Sequence, residues 1–356
     1  MNKTAEAKGN RLDSKQISNK LLDNALYILM FIAVIYIAIV NPNFIKSSSI
    51  LNIISQTAAY LPAALGVAGC IVLTGTDLSA GRIVGLSACV GASLMQAMGA
   101  ANKMWPGIGT FNPFVVLIMM MVLGALVGCF NGFFVAKFKL HPFIVTLGTQ
   151  LILYTFLLLY VKMGNNNGMA ISALDLSYKE FVTGSVITGA IRFFLPGYAG
   201  IEIPNYVLIA VVLVGIMWFV WNKTTFGKNM FALGANEEAA KVSGVNVILT
   251  TVMVFALAGA LYSVTGFIEG ARIGSNTANT GLNYELDAIA ACVIGGVSFT
   301  GGVGKIKGVV LGVFLLRLIF IGLTMIKVDQ NLFYLVKGAI ILFACALDMR
   351  KYLTKK

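Results

Sequence analysis

The sequence predicts an all-α polytopic membrane protein with about ten transmembrane helices, some of them broken, arranged as a pseudo-repeat of two halves. Three observations carry this expectation. Apolar residues make up 58% of the 356, charged residues only 11%, and the mean hydropathy is +0.87, whereas soluble domains carry roughly 25% charged residues. The apolar residues gather into runs that, at about 1.5 Å per residue, can cross a hydrocarbon layer of roughly 30 Å. Two glycine-rich interruptions then fall at matching places in those runs.

Residues 1–24 read as a polar tail, residues 25–348 as the membrane domain and residues 349–356 as a basic tail. The first run, Ala25 to Val40, ends at Asn41-Pro42 without a small-residue cleavage site, so it is expected to stay as an anchor. Leu51 to Leu73 and Arg82 to Met98 flank the first interruption, Gly75-Thr-Asp-Leu-Ser-Ala-Gly81. Pro113 to Ala136 carries Gly124, Gly128 and Gly132 on one face, a spacing suited to close helix packing. His141-Pro142 opens the next run, to Val161, and His141 reads as a helix-start residue ahead of a proton relay.

A mixed stretch, 162–203, precedes the span Asn205 to Trp221. The polar loop 222–248 follows, and Thr250 to Ile268 spans again. Glu269, Arg272, Glu285 and Asp287 then read either as a charged outer surface for a docking protein or as an ordinary solvated loop. Ala288 to Ile294 leads into the second interruption, Gly295 to Gly302, and Val303 to Ile326 and Leu332 to Leu347 complete the ten. Arg317, within an apolar run, is expected to face a neighbouring helix or a cavity, with carbonyls as the simplest partners.

The net charge of +12 suggests nucleic acid at first, but its distribution fits membrane topology better, and no nucleic-acid partner is expected. With the N-terminus inside, seventeen Lys and Arg fall on inner segments: five in the first tail, Arg82, Lys137, Lys139, Lys223, Lys228, Lys241, Lys305, Lys307 and four at the end. Seven fall outside (Lys46, Lys103, Lys162, Lys179, Arg192, Arg272 and Lys327). That asymmetry places both termini and the 222–248 loop in the cytoplasm. The five cysteines lie in apolar segments without a Cys-x-x-Cys pair, and His141 is the lone histidine, so no metal site is expected. No nucleophile–base constellation is visible either, which leaves no catalytic residue to name.

Gly81-Arg-Ile-Val-Gly85 is echoed 223 residues later by Gly304-Lys-Ile-Lys-Gly308, and this spacing suggests two parallel copies. Irregular backbone at membrane depth survives only beside protein or a watery cavity, so the paired interruptions point to a transport path. Asp77 and Ser79 in the first, and Ser298 and Thr300 in the second, are the residues expected to line it. For Asp77 the other reading is a helix cap, paired with Arg82.

No phosphate-loop pattern occurs; its nearest approach at Gly304-Lys305 has Ile306 where Ser or Thr is required. The spans also show few acids of the kind an ion-coupled carrier uses. Either flow is passive or energy arrives from another subunit. Within the 222–248 loop, Asn236 can cap a short helix, Glu237 and Glu238 suit its N-terminal dipole, and Gly244 can end it. Glu238, Ala239, Ala240 and Gly244 are therefore either a handle for another protein or a surface connector.

Phe226-Gly-Lys-Asn-Met-Phe-Ala-Leu-Gly-Ala-Asn-Glu-Glu-Ala-Ala-Lys-Val-Ser-Gly-Val245 resembles the ATPase-contacting loop of ABC sugar-importer permeases of the ribose/galactose/xylose branch. Gly75–Gly81, His141–Thr149 and Tyr284–Gly304 are similar to the same family, and the likeness covers nearly the whole chain after residue 25. Within the branch it resembles galactose/methyl-galactoside permeases most. The resemblance implies a homodimer in a prokaryotic cytoplasmic membrane, contacting lipid and surrounding a central path. It also implies two ATP-binding subunits gripping Glu238, Ala239, Ala240 and Gly244, and a periplasmic or lipid-anchored sugar-binding protein outside. ATP would be used by the partner, with no cofactor bound by this chain. A ribose, xylose or other monosaccharide permease is the alternative, and a secondary carrier or channel the second alternative.

Overall fold

The computed structural model describes residues 25–185 and 202–353. The expected N-terminal tail, the end of the C-terminal tail and residues 186–201 lie outside the described residues. Ten helices match the ten expected apolar runs: α1 (Ala25–Val40), α2 (Ser47–Val72), α3 (Ala80–Leu94), α4 (Pro113–Phe138), α5 (Pro142–Tyr160), α7 (Asn205–Lys223), α10 (Val247–Ile273), α11 (Tyr284–Ile294), α12 (Ile306–Met325) and α13 (Leu332–Leu353). Three more lie between them: α6 (Leu176–Thr183), α8 (Thr225–Ala235) and α9 (Glu237–Val242). Seven helices are long and apolar enough to cross a membrane unaided: α2, α4, α5, α7, α10, α12 and α13. The chain is a multi-pass helical membrane protein in which α1, α3 and α11 are shorter than a full span.

The central contact is α10 against α4. Small residues let the backbones touch: a Cβ on Gly124, Gly128 or Gly132 would collide with Gly259, Phe255 or Val252 respectively. The stripe read from sequence thus has an identified partner. On its other sides α10 packs against α2 and α3. Ala63 N donates to Thr265 Oγ1 at 2.9 Å, and Gly66 and Gly69 meet Tyr262 and Val254 in turn. As α2 is followed forward α10 runs backward, so the two are antiparallel.

The repeat has the opposite polarity to the parallel one suggested by the Gly81 and Gly304 echo. Helix α3 runs alongside α10, with Val84 and Ala88 against Gly266 and Gly270. In the same sense α11 runs alongside α2, with Tyr284 on Tyr60 and Cys292 Sγ donating to Ala64 O at 3.2 Å. Each long first helix (α2, α10) therefore leads to a short second one (α3, α11), and α2 and α10 point in opposite directions. Residues 73–79 correspond to residues 274–283 at the other end of the bundle. A local glycine echo carries no information on direction, because glycine is called for wherever backbones touch, in either sense.

Residues 276–285 descend along α3. Cys89 Sγ donates to Thr277 O at 3.3 Å, Arg82 Nη1 donates to Ala278 O at 3.1 Å, and Gly85 and Gly81 lie against Thr280 and Gly281. Non-helical backbone at this depth is tolerated because protein encloses it. Here Gly281 takes φ +80°, a conformation that costs glycine little. At the same end α6 is capped by Asp175, whose side chain accepts from Ser177 N at 2.9 Å and Ser177 Oγ at 2.6 Å. Those two hydrogen bonds hold the Asp175 carboxyl below its ordinary pKa.

Candidate functional site

The segment between α7 and α10 is built as its residues suggest. Thr224 caps α8, its hydroxyl accepting from Gly227 N at 3.1 Å. Asn236 ends α8 and caps α9, accepting from Ala239 N at 2.9 Å. Glu237 and Glu238 occupy the first turn of α9 and Lys241 the last, each on the favourable end of the dipole. Gly244 has φ +87° and open space where a Cβ would be. Glu238, Ala239 and Gly244 are exposed, whereas Ala240 is buried and seats the helix on its neighbours. Val242 is 89% exposed, an apolar side chain presented outward beside Lys241.

This segment is wired directly to the breaks in the bundle. A Cβ at Gly234 of α8 would collide with the Val72 carbonyl and crowd Gly302 N, and Gly302 N donates to Val72 O at 2.9 Å. Three backbones therefore meet: α8, the end of α2, and the turn after α11. Trp221 of α7 braces α8 from the side, edge-on to Phe231 at 5.4 Å.

The four path candidates form two clusters instead of one. Asp77 and Ser79 are fully buried. Asp77 Oδ1 accepts from Ser79 N at 2.9 Å and Ser79 Oγ at 2.6 Å. Ser79 Oγ accepts from Asn131 Nδ2 at 2.9 Å, and Thr149 Oγ1 donates to Asn131 Oδ1 at 2.6 Å. That chain ties the start of α3 to α4 and α5. Asp77 does not pair with Arg82, which lies over the Tyr154 ring at 4.2 Å. Ser298 and Thr300 share a 2.8 Å hydroxyl contact, and Ser298 Oγ donates to Asp348 Oδ2 of α13 at 2.7 Å. Asp348 was not singled out from the sequence, since a lone acid near a helix end reads as ordinary surface. His141 is exposed at the start of α5.

The densest polar cluster inside the bundle lies elsewhere. Arg317 Nη2 and Lys337 Nζ each reach Asp287 at 2.6 Å, on opposite carboxylate oxygens. The Arg317 guanidinium carbon lies 3.3 Å from the Tyr60 ring centre, and Tyr60 stacks on Tyr284 at 4.4 Å and 17°. Arg272 pairs with Glu269 at 2.7 Å. Glu269, Glu285 and Asp287 are buried, so the expected outer surface is overturned. Helix α10 continues to Ile273 and α11 starts at Tyr284, which draws these acids into the bundle. The expected scarcity of intramembrane acids falls with it: Asp77, Glu269, Glu285 and Asp287 are all inside. The sequence signal was present in Arg317 and Lys337, the two cations within apolar runs, but their carboxylate partner was placed in a loop.

Broken helices, a buried polar cluster and an exposed polar segment between two spans define a membrane permease. The chain belongs to the family described as branched-chain amino acid transport system / permease component, whose model matches residues 49–345. The galactose/methyl galactoside import permease protein of Escherichia coli (strain K12) is 45% identical over 97% of this chain and 99% of its own length. The one from Haemophilus influenzae is 42% identical over 97% and 99%. The ribose import permease protein of Bacillus subtilis (strain 168) is 33% identical over 90% of this chain and 91% of its own. No solved structure matches.

Proposed function

We propose that this chain is the transmembrane permease subunit of an ATP-binding-cassette importer for galactose/methyl-galactoside-type hexoses. Two copies form the pore, two separate ATP-binding subunits drive it, and a periplasmic or lipid-anchored binding protein delivers the sugar. The chain binds no cofactor; ATP is used by its partner. Both termini and the 222–248 loop face the cytoplasm, in keeping with the seventeen-to-seven bias of basic residues.

The observation that carries this reading is the exposed, Asn236-capped helix α9, tied through Gly234 and Gly302 to the ends of the broken helices. A partner pushing on Glu238, Ala239 and Gly244 moves α8, and α8 touches the backbones that flank Asp77 and Ser298. These residues border the cytoplasmic end of the path. The substrate follows the relatives: 45% identity to a galactose permease against 33% to a ribose permease favours a hexose. Pairing of Glu269 with Arg272 and of Asp287 with Arg317 and Lys337 leaves those acids unsuited to carrying a coupling ion.

The test is a detergent pull-down of the tagged chain from its native host, beside a Glu238→Arg, Gly244→Asp variant. The expected result is an ATP-binding subunit and a sugar-binding protein with the parent and no ATP-binding subunit with the variant. A folded parent that brings down no ATPase would put a secondary carrier or channel in its place.

A further inference from the structure

We propose that the Tyr60–Tyr284 stack and the neighbouring Glu269–Arg272 pair form a sugar-contacting site within the permease itself, taking a pyranose ring on the tyrosine face and its hydroxyls on Arg272. This rests on the sugar-import reading above.

The first argument is position. Tyr60 lies halfway along α2, and Tyr284 opens α11 at depth, after the 276–283 descent. Tyr60 and Tyr284 are half-buried, the Arg272 side chain keeps 29% exposure and Lys337 15%. Gln56, one turn before Tyr60 on the same face, is also partly exposed, and Asn52 before it is exposed. Open polar groups at this depth are costly against hydrocarbon and belong beside a water-filled path.

The second argument is chemistry. Arg272 donates to Glu269 through both Nε and Nη2, and the antiparallel register of α2 on α10, Ala63 with Thr265 and Gly66 with Tyr262, sets Glu269 at the level of Tyr60. A planar aromatic face beside fixed charged donors and acceptors matches a pyranose, which is apolar on its C–H face and polar at its rim. One face of Tyr60 is taken by Arg317 at 3.3 Å. Tyr284, stacked at 4.4 Å, must lie on the other face, because both could not fit on one.

The third argument is that the site is shut but loosely. On the Arg317 side of Tyr60, opposite Tyr284, a cavity lined by Ala64, Asp287 and Arg317 measures about 10 Å³, room for one water, and Arg317 Nε has no hydrogen-bond partner among the described residues. Tyr284 is the first residue of its helix, after Asn283 at φ +64°, so no preceding helical turn confines its χ1. Rotation of this one ring exposes the face of Tyr60.

The complete importer in proteoliposomes, with saturating sugar-loaded binding protein, provides the test. Tyr284→Cys is labelled with a methanethiosulfonate reagent during turnover; the expected result is that galactose slows labelling and a non-transported sugar does not. Tyr284→Leu is expected to lower maximal galactose uptake about tenfold with assembly intact, and Tyr284→Phe to restore most of it. Arg272→Gln is expected to reduce the discrimination between galactose and its deoxy analogues. Labelling that ignores sugar, or uptake losses that follow thermal stability equally for every sugar, would overturn the site. Absence of galactose uptake by the parent would instead overturn the sugar-import reading.

Discussion

Arg317 donates to Asp287 at 2.6 Å between two helices, with both side chains more than nine-tenths buried. The pair carries a second cation, Lys337, on the carboxylate's other oxygen. One carboxylate thereby fastens α11 to α12 and α13. Buried charges persist only when paired, and removing one partner of a buried pair costs about 3–5 kcal/mol.

The charge balance of this triad sets an order of severity. Asp287→Asn leaves two buried cations together, while Arg317→Gln leaves the neutral Asp287–Lys337 pair. Thermal unfolding in detergent is expected to show the larger loss for Asp287→Asn, on the order of 3–5 kcal/mol, and a smaller one for Arg317→Gln. Equal losses would mean that Lys337 does not share the charge.

The α4–α10 contact is expected to be intolerant of any side chain at Gly128. A Cβ there would collide with the Phe255 carbonyl, whereas one at Gly148 would meet nothing within 4 Å. Gly128→Val should cost upward of about 1–3 kcal/mol or abolish folding. Gly148→Ala should leave folding intact, and fluorescence-detected size exclusion after heating separates the two.

Gly244 is constrained by conformation and not by space. Gly244→Ala puts a Cβ on a φ of +87° with no steric neighbour, at a cost of roughly 1–2 kcal/mol that falls on the end of α9 alone. The global melting temperature should stay while recovery of the ATP-binding subunit falls. Gly244→Asn, which tolerates a left-handed backbone better, should recover more.

The cap of α6 should respond to acid in one direction only. The Asp175 pKa lies below its usual 3.8, so its ionised form stabilises the fold: the contribution is complete above about pH 4 and fades as pH falls through the lowered value. Hydrogen exchange across residues 176–183 should rise below about pH 4. Asp175→Ala should exchange faster than the parent above about pH 4, by about 1 kcal/mol of lost capping, and the difference should close as the pH falls, the variant lacking that acid step.

The seven full-length helices were legible because hydrocarbon imposes one requirement, length of apolar run, that sequence states directly, and the three short ones showed as apolar pieces beside polar or glycine-rich breaks. The caps at Asn236 and the stripe at Gly124, Gly128 and Gly132 were legible for the same reason: each follows from local spacing. What the sequence hid depends on pairing between distant segments. Asp287 looked like a loop residue because its neighbours Glu285 and Glu269 are charged, and only the meeting of α11 with α12 and α13 turns it into the counter-ion of Arg317 and Lys337. The polarity of the repeat was hidden likewise, since the echoing glycines mark only where backbones touch: Gly81 and Gly85 lie against Gly281 and Thr280, whereas Gly308 lies against Gly295.

The most direct test of the central claim is sugar uptake by proteoliposomes holding this chain alone or with its ATP-binding subunit, loaded binding protein and ATP. Accumulation only in the complete, ATP-supplied system is the expected result. Accumulation by the chain alone, driven by an ion gradient, would contradict it.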